Sequence, residues 1–182
     1  MLVHKNSESP VSSLPFPGFN NIRLTHYRLQ TVINDDAWRG ALGSIKAVYL
    51  QTDTYTGWHY IGSAYGVKGS TTGLLHRWID DAGGNHCGNN KILENRTEEL
   101  VQSLCISQKD YIEKYFQYSI LDIFDMRTPD QTVIQREHWW MKTLDSIFGE
   151  NADKRFVHGY NTRYEAEETS KGIAVADSAE SC

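Results

Sequence analysis

Two short apolar runs, residues 46–50 and 59–64, lie on either side of a polar segment at 53–57. A turn of several residues between two strand-like runs is typical of a β-hairpin. The first run contains Tyr49 and the second contains Tyr60, so the hairpin is predicted to place two phenols side by side. Tyrosine is also common in half-buried strands, which is the plainer interpretation of this pair.

Further elements follow the hairpin. Apolar residues recur at helical spacing over 72–82, and a partial apolar stripe over 92–104 predicts a second helix. Residues 116–124 are the most apolar strand candidate. They precede a Thr-Pro-Asp-Gln segment at 128–131, a capping-box pattern that predicts a helix extending to about Ser146.

The segment before the hairpin, residues 20–43, mixes apolar and polar positions. Thr25 is predicted to cap a short helix that runs through Ile33, and Asp35 or Asp36 is predicted to begin another. Together the elements predict an α/β fold, in which a small, mainly antiparallel three-stranded sheet is flanked by helices and preceded by a helical extension.

Length and composition determine the expected domain organisation. A chain of 182 residues, 40% hydrophobic and 23% charged, suits one soluble domain with appended segments. We expect a flexible arm and helical extension at 1–45, one domain at 46–164 and a disordered acidic tail at 165–182. No apolar run approaches the ~18 residues that cross a bilayer, and no leader pattern is present, so we expect a cytoplasmic protein. The three cysteines lack a C-x-x-C pair and predict neither a disulfide framework nor a zinc site.

The net charge of −5 argues at first against a nucleic-acid partner, because such proteins usually carry excess Lys and Arg. The charge is concentrated at the end of the chain, where five acidic residues against one lysine give 165–182 a net charge of −4. Residues 1–164 therefore carry only −1, and a local basic surface remains compatible with DNA.

Glu137 is the most informative single residue. At about 100° per residue it falls on the apolar stripe of the last predicted helix, between Val133 and Leu144. A carboxylate on such a stripe is withdrawn from water unless a positive group meets it. Two partners remain open: a divalent metal ion, or a structural ion pair with Arg77, Arg136 or a lysine. A lone glutamate is sufficient for Mg²⁺, which fills its other positions with water and phosphate.

Taken together, five elements resemble the motifs of the GIY-YIG nuclease family over roughly residues 46–164. The Ala-Val-Tyr segment that ends at Tyr49 stands where the family has Gly-Ile-Tyr, and the Tyr-Ile-Gly segment that begins at Tyr60 matches the second motif. The remaining matches are Arg77 to the family's helical arginine, Glu137 to its metal-binding glutamate, and Asn161, in a Gly-Tyr-Asn segment, to its final asparagine.

The resemblance implies an endonuclease that hydrolyses DNA phosphodiester bonds with Mg²⁺ (or Mn²⁺), site-specific and of restriction or defence type. It assigns Tyr49 as general base and Tyr60 as a residue that positions the attacking water. Arg77 would bind the phosphate, Glu137 would hold the metal, and Asn161 would hold the site or the phosphate. Cleavage of both strands calls for a homodimer or for two sequential nicks. The alternatives are a catalytically inactive nucleic-acid-binding protein of the same fold, or an interaction module that uses its aromatic surface.

The chain departs from the family pattern in two places. The first motif lacks its glycine, and Asp81 lies one turn after Arg77, where the family often has a histidine or tyrosine. Asp81 either orients Arg77 by pairing with it or neutralises it. His86 or His76 is a candidate replacement for the missing side chain.

DNA contact is predicted for a basic and amide-rich surface around the loop at 83–90, because amides and basic groups suit both phosphates and base edges. Ordinary solvated loops are the alternative interpretation. The predicted contact residues are Lys68, Asn85, His86, Asn89, Asn90 and Lys91. The paired Trp139 and Trp140 are predicted to belong to the core instead of forming a base-stacking platform.

Overall fold

The structure is a computed structural model that describes residues 14–83, 98, 100–147 and 159–161. The side chains at 67 and 68 lie outside this description. The described elements are β1 (Arg23–Thr25), α1 (His26–Val32), α2 (Asp36–Gly43), β2 (Ile45–Asp53), β3 (His59–Ala64), β4 (Val67–Lys68), β5 (Thr71–Thr72), α3 (Gly73–Ala82), α4 (Gln108–Tyr115), β6 (Phe116–Asp125) and α5 (Asp130–Thr143). Residues 100–104 are also helical, and residues 19–21 form a 3₁₀ turn.

Four antiparallel strands form the main sheet, in the order β1-β6-β2-β3. The predicted α/β class, with an antiparallel sheet flanked by helices, is therefore confirmed, and it is consistent with the GIY-YIG-like fold that the resemblance implies. The hairpin is also present, with a loop at 54–58 between β2 and β3. The N-terminal segment adds β1 as a fourth strand, which the sequence pattern did not indicate. β3 is an edge strand of this sheet.

Alternation along the strands separates two apolar layers. On one face, Tyr49 of β2 and Ala64 of β3 pack with the residues of α1, α2, α3 and α4. On the other face, Val48 of β2 and Ile61 of β3 pack against Val133 on α5. The sheet thus lies between a layer of four helices and the single helix α5, and side chains of both layers meet at the edge strand β3.

The two predicted N-terminal caps are confirmed. The Thr25 side-chain oxygen accepts a hydrogen bond from the Arg28 backbone N–H at 3.4 Å, where α1 begins. Asp35 caps α2, because its Oδ1 accepts from the backbone N–H groups of Ala37 and Trp38 at 3.0 and 3.2 Å. These oxygens satisfy helix N–H groups that have no partner within the helix.

The predicted capping box at the start of α5 is wrong. Pro129 occupies the N-cap position without a side-chain cap, and the helix ends at Thr143, earlier than predicted. Because the helix begins at Asp130, Thr128 lies one residue before the N-cap position and its side chain cannot cap the helix. At this point the buried Lys46 of β2 donates its Nζ to the Thr128 carbonyl and to Asp130 Oδ1, both at 2.6 Å. A lysine from the sheet therefore fixes the start of this helix.

A buried carboxylate fixes the hairpin turn. Asp53 is 0% exposed, and its Oδ2 accepts from the hydroxyls of Tyr160 at 2.6 Å, Tyr111 at 2.7 Å and Thr56 at 2.8 Å. Its Oδ1 accepts from the backbone N–H groups of Tyr55 and Thr56. Burial and the neighbouring Asp53 carboxylate raise the pKa of the Tyr111 phenol far above its usual range, so this hydroxyl stays a donor.

We expect Asp53→Asn to lower the free energy of unfolding by about 2–4 kcal/mol, because an amide leaves a single acceptor oxygen for this set of buried donors. The measurement is urea denaturation followed by circular dichroism. Asp145→Asn is the matched control, since Asp145 is exposed and has a positive φ that asparagine also tolerates. Equal stability of the two variants would show that the Asp53 contacts do not hold the turn.

Candidate functional site

Ser63 joins two side chains that come from opposite faces of the sheet. Its hydroxyl donates to Glu137 Oε2 at 2.6 Å, and its backbone carbonyl accepts from Arg77 Nε at 3.4 Å. Ser63 lies on the edge strand, so its carbonyl is not used by a neighbouring strand of the sheet and α3 can reach it. A carboxylate from α5 and a guanidinium from α3 therefore converge on one residue of β3.

The two tyrosines of the hairpin lie next to this point. Tyr49 is paired with Gly62 across the hairpin, and its ring lies 6.4 Å from the ring of Tyr60, centroid to centroid. A Cβ at position 62 would be 2.5 Å from Tyr49 Oη, so the phenol requires glycine there. Tyr49 is only 1% exposed and packs edge-on against Trp78 of α3.

Asn161 holds the same strand from outside the sheet. Its Oδ1 accepts from the Ile61 N–H at 2.9 Å, and its Nδ2 donates to the Ile61 carbonyl at 2.7 Å. The Ser146 hydroxyl donates to the same Oδ1 at 2.8 Å. Gly159, two residues earlier, packs against the backbone of Ser146. An added Cβ would be 1.7 Å from the Ser146 carbonyl oxygen. The Gly-Tyr-Asn segment thus positions β3 by hydrogen-bonding to its outer side, where no further strand of the sheet is paired.

A cleft of about 180 Å³ opens beside Ser63. It is lined by Ser63, Ala64, Tyr65, Gly66, Gly73, His76 and Arg77. The cleft includes Gly73, the first residue of α3, and the N-cap Thr72 does not cap that helix because its hydroxyl donates to the Gly43 carbonyl instead. The positive end of the helix dipole and a guanidinium therefore border the same space, which favours an anion there.

Asp81, the departure from the family pattern, points into the protein interior. It is 1% exposed, and its Oδ2 accepts from Gln51 Nε2 of β2 at 3.0 Å. Arg77, one turn earlier on α3, is half-buried and lines the cleft. The Asp81 carboxylate is thus engaged by a side chain of the sheet, on the buried side of the helix.

Glu137 is 3% exposed, as its place on the apolar stripe of α5 predicts. The neighbouring Arg136, one of the partners that the sequence left open, forms an ion pair with Asp122 Oδ2 at 2.6 Å. Across 14–83, 98, 100–147 and 159–161, no three His, Cys, Asp or Glu side chains cluster as a metal site. A single carboxylate and a hydroxyl are hard oxygen donors that fit Mg²⁺ or Mn²⁺, because such ions take most of their other ligands from water and phosphate.

The predicted DNA-contact surface lies outside the described residues. This applies to Asn85, His86, Asn89, Asn90 and Lys91, and to the side chain of Lys68. The prediction that both tryptophans belong to the core is wrong for Trp139, which is 46% exposed and has the Arg136 guanidinium 4.0 Å above its ring. Trp139 lies about 200° around the helix from Glu137, so it faces away from the sheet.

Sequence reasoning missed Ser63 and Tyr65. The signal for Ser63 was its spacing from Ile61, because residues two apart on a strand share a face. A serine on the face that buries Ile61 needs a polar partner on the element packed there, and that element is α5. Tyr65 follows the end of β3 and carries no periodic signal.

Comparisons with known proteins add one distant similarity. Neither a protein-family profile nor a curated protein matches the chain. Among solved structures, the chain is similar to a point mutant of the catalytic domain of the intron endonuclease I-TevI. The two share 21% sequence identity, the similarity covers 67% of this chain and 97% of that chain, and the TM-score is 0.37. A similarity this distant carries no conclusion about activity. Within the described residues, no helix is both long and apolar enough to span a membrane.

We expect Gly62→Ala to lower the free energy of unfolding by about 1–3 kcal/mol, because the new methyl group meets the buried ring of Tyr49. Gly40→Ala is the matched control. Gly40 is exposed on α2 with open space around it, so this change should stabilise the protein by about 0.5–1 kcal/mol. Thermal unfolding measures both variants. Equal stability of the two would show that Tyr49 is not fixed against position 62.

Proposed function

We propose that this protein is a divalent-metal-dependent endonuclease that hydrolyses DNA phosphodiester bonds. The observation that carries the proposal is the convergence of Glu137 and Arg77 on Ser63, at the edge of a cleft that favours an anion. Phosphodiester hydrolysis needs a positive group for the phosphate, a stabilised leaving oxygen and a positioned water. Arg77 can supply the positive group for the phosphate, and a cation held by Glu137 can stabilise the leaving oxygen.

Arg77 binds the nonbridging oxygens of the scissile phosphate in this proposal. Its guanidinium is permanently charged and presents several N–H donors in a plane, which suits phosphate oxygens. The Nε contact to the Ser63 carbonyl orients the group at the cleft. The uncapped start of α3 adds partial positive charge on the same side.

Glu137 holds Mg²⁺ or Mn²⁺ in this proposal. The Ser63 hydroxyl orients the carboxylate by hydrogen bonding to one of its oxygens. When bound, such a cation counters charge on the phosphate and on the leaving oxygen. The burial of Glu137 fits this assignment, because a carboxylate withdrawn from water interacts strongly with a cation.

The other predicted site residues lie around the same strand. The Tyr49 hydroxyl lies against Gly62, the residue before Ser63, and Tyr60 lies beside Tyr49. Asn161 pairs with the backbone of Ile61, two residues before Ser63, so we assign it as a positioning residue and not as a phosphate ligand.

We extend the same proposal to an endonuclease of restriction or defence type that cleaves at specific sites. Such an enzyme should produce discrete fragments from a plasmid, with 5′-phosphate and 3′-hydroxyl ends.

A plasmid-nicking assay tests the proposal. Purified protein should nick plasmid DNA with Mg²⁺ or Mn²⁺, EDTA should abolish nicking, and Arg77→Ala or Glu137→Gln should lower the rate about 10²-fold or more. The matched controls are Arg28→Ala on α1 and Glu113→Gln on α4, which remove an arginine and a glutamate that neither line the cleft nor contact Ser63 and should leave the rate unchanged.

The rival functions give different results in the same preparation. Salt-dependent DNA binding without cleavage under any divalent ion would support an inactive nucleic-acid-binding protein. An absence of DNA affinity even at low salt would support an interaction module instead.

A further inference from the structure

The outer face of α5 carries an aromatic stack that the proposed hydrolysis does not use. Trp139 is 46% exposed, and the Arg136 guanidinium lies 4.0 Å from the centre of its ring, a cation–π contact. The ring of Trp140 meets the ring of Trp139 edge-on, with 4.8 Å between the ring centroids. Because Arg136 lies against one face of the Trp139 indole, the opposite face is the one that a planar ligand can reach.

A carboxylate from the sheet holds this stack in place. Asp122 of β6 accepts two hydrogen bonds at the same oxygen, Oδ2, from Arg136 Nε and from Trp140 Nε1. Both side chains that support Trp139 are therefore fixed by one group of the sheet. A surface that is already ordered loses less side-chain entropy when a ligand binds, so the stack is preorganised for binding.

Arg136 also presents hydrogen-bond donors at the surface. Its Nε bond to Asp122 uses one of the five N–H donors of the guanidinium. In the part of the chain that the structure describes, Arg136 makes no hydrogen bond from either Nη group. The side chain is 38% exposed, so these donors can reach a phosphate oxygen. An aromatic face beside such donors is how proteins bind single-stranded nucleic acid.

The neighbours of Trp139 on the same helix face are polar. Residues three and four positions apart are neighbours on the surface of a helix. For Trp139 these are Gln135, Arg136, Lys142 and Thr143, and all except Arg136 are exposed. A protein partner usually covers a more continuous apolar patch around an aromatic anchor. A single ring between two basic side chains and an amide instead suits a strand that combines flat bases with charged phosphates.

We propose that Trp139 and Arg136 form a binding site for an unpaired nucleotide of DNA. The base stacks on the open face of the indole, and the Arg136 Nη groups bind the adjoining phosphate. Bases inside a duplex are stacked on both faces, so only a single-stranded, gapped or branched DNA presents a face to Trp139. Because every base has a π face, the contact is tolerant of sequence. This inference names a substrate class for the proposed endonuclease; it rests on DNA as the partner but not on cleavage.

The stack and the proposed metal site lie on opposite sides of one helix. Glu137 is buried against the sheet, and Trp139 lies about 200° further around α5. A helix with its side chains is about 10–12 Å across, so the stacked base and the scissile phosphate belong to different nucleotides. Trp139 therefore selects the substrate and takes no part in the hydrolytic step.

Binding to strands with and without bases tests the proposal. One probe is an oligothymidine of about 15 nucleotides, long enough for a typical single-strand site, and the other is a strand of equal length made of abasic sites. Both are labelled with fluorescein and titrated in EDTA by fluorescence anisotropy. The wild type should bind oligothymidine about 10–100-fold more tightly, because that is the typical effect of one stacked base. Trp139→Ala should lose most of this preference.

Two further variants show whether the effect comes from stacking. Tyr27→Ala is the matched control, because Tyr27 is 69% exposed on α1 and its removal should leave the preference unchanged. Trp139→Phe keeps an aromatic face and should keep the affinity for oligothymidine within about threefold. The same variant should lose most of the tryptophan fluorescence quenching that oligothymidine causes in the wild type. A role of Trp139 in helix stability alone would not produce this pattern.

The salt dependence of binding tests the phosphate contact. The abasic strand offers phosphates without bases, so its affinity reports the basic side chains. Arg136→Gln should reduce the slope of log affinity against log salt concentration by about 0.7, the value for one phosphate contact on a single strand. An unchanged slope would overturn the assignment of Arg136 to a phosphate.

The remaining outcomes separate this inference from the proposed function. Equal affinity of the wild type for both strands would overturn the inference and assign the stack to a protein partner instead. An equal loss of affinity for both strands in Trp139→Ala would also overturn it. In either case the proposed function would still stand if Arg77→Ala and Glu137→Gln lost nicking activity. A protein that prefers oligothymidine through Trp139 but never cleaves DNA would confirm the inference and overturn the proposed function.

Discussion

The two hydrogen bonds of Ser63 are the contacts on which the candidate site depends. The Ser63 hydroxyl faces α5 and the Ser63 carbonyl faces α3. The Glu137 carboxylate and the Arg77 guanidinium are therefore held close together, because both bind the same residue. This is possible only on an edge strand, since an interior strand uses its carbonyls for the ladder on both sides. The position of β3 at the edge is therefore what allows two layers of the fold to share one site.

The rest of the structure holds that edge strand in place. Asn161 satisfies both backbone groups of Ile61, and the Tyr160 N–H donates to the His59 carbonyl at 2.8 Å. Tyr160 also donates its hydroxyl to the buried Asp53, so the segment at 159–161 ties the hairpin turn and the hairpin edge together. An exposed edge is otherwise open to pairing with another chain. Here the segment at 159–161 hydrogen-bonds to β3 at His59 and Ile61. At Ser63, two residues further along β3, the donor is Arg77 instead.

Local patterns in the sequence predicted most of the elements. The hairpin, the apolar strand, the caps at Thr25 and Asp35 and the burial of Glu137 all follow from periodicity or turn chemistry over a few residues. Contacts between distant residues could not be predicted in this way. The capping box predicted at Thr128 does not form, and the hydrogen bond that the Thr128 carbonyl accepts comes from Lys46, 82 residues earlier in the chain. The three-residue strand β1 was too short to show alternation, and it pairs with a strand more than ninety residues away.

The burial of Glu137 beside Ser63, next to an anion-favouring cleft, is explained if the carboxylate holds a divalent cation. Anomalous diffraction from crystals soaked in Mn²⁺ tests this claim most directly. A peak about 2.1 Å from a Glu137 carboxylate oxygen is predicted for the wild type. The peak should be absent from Glu137→Gln crystals. Mn²⁺ bound only elsewhere, or an unchanged peak in Glu137→Gln, would contradict the claim.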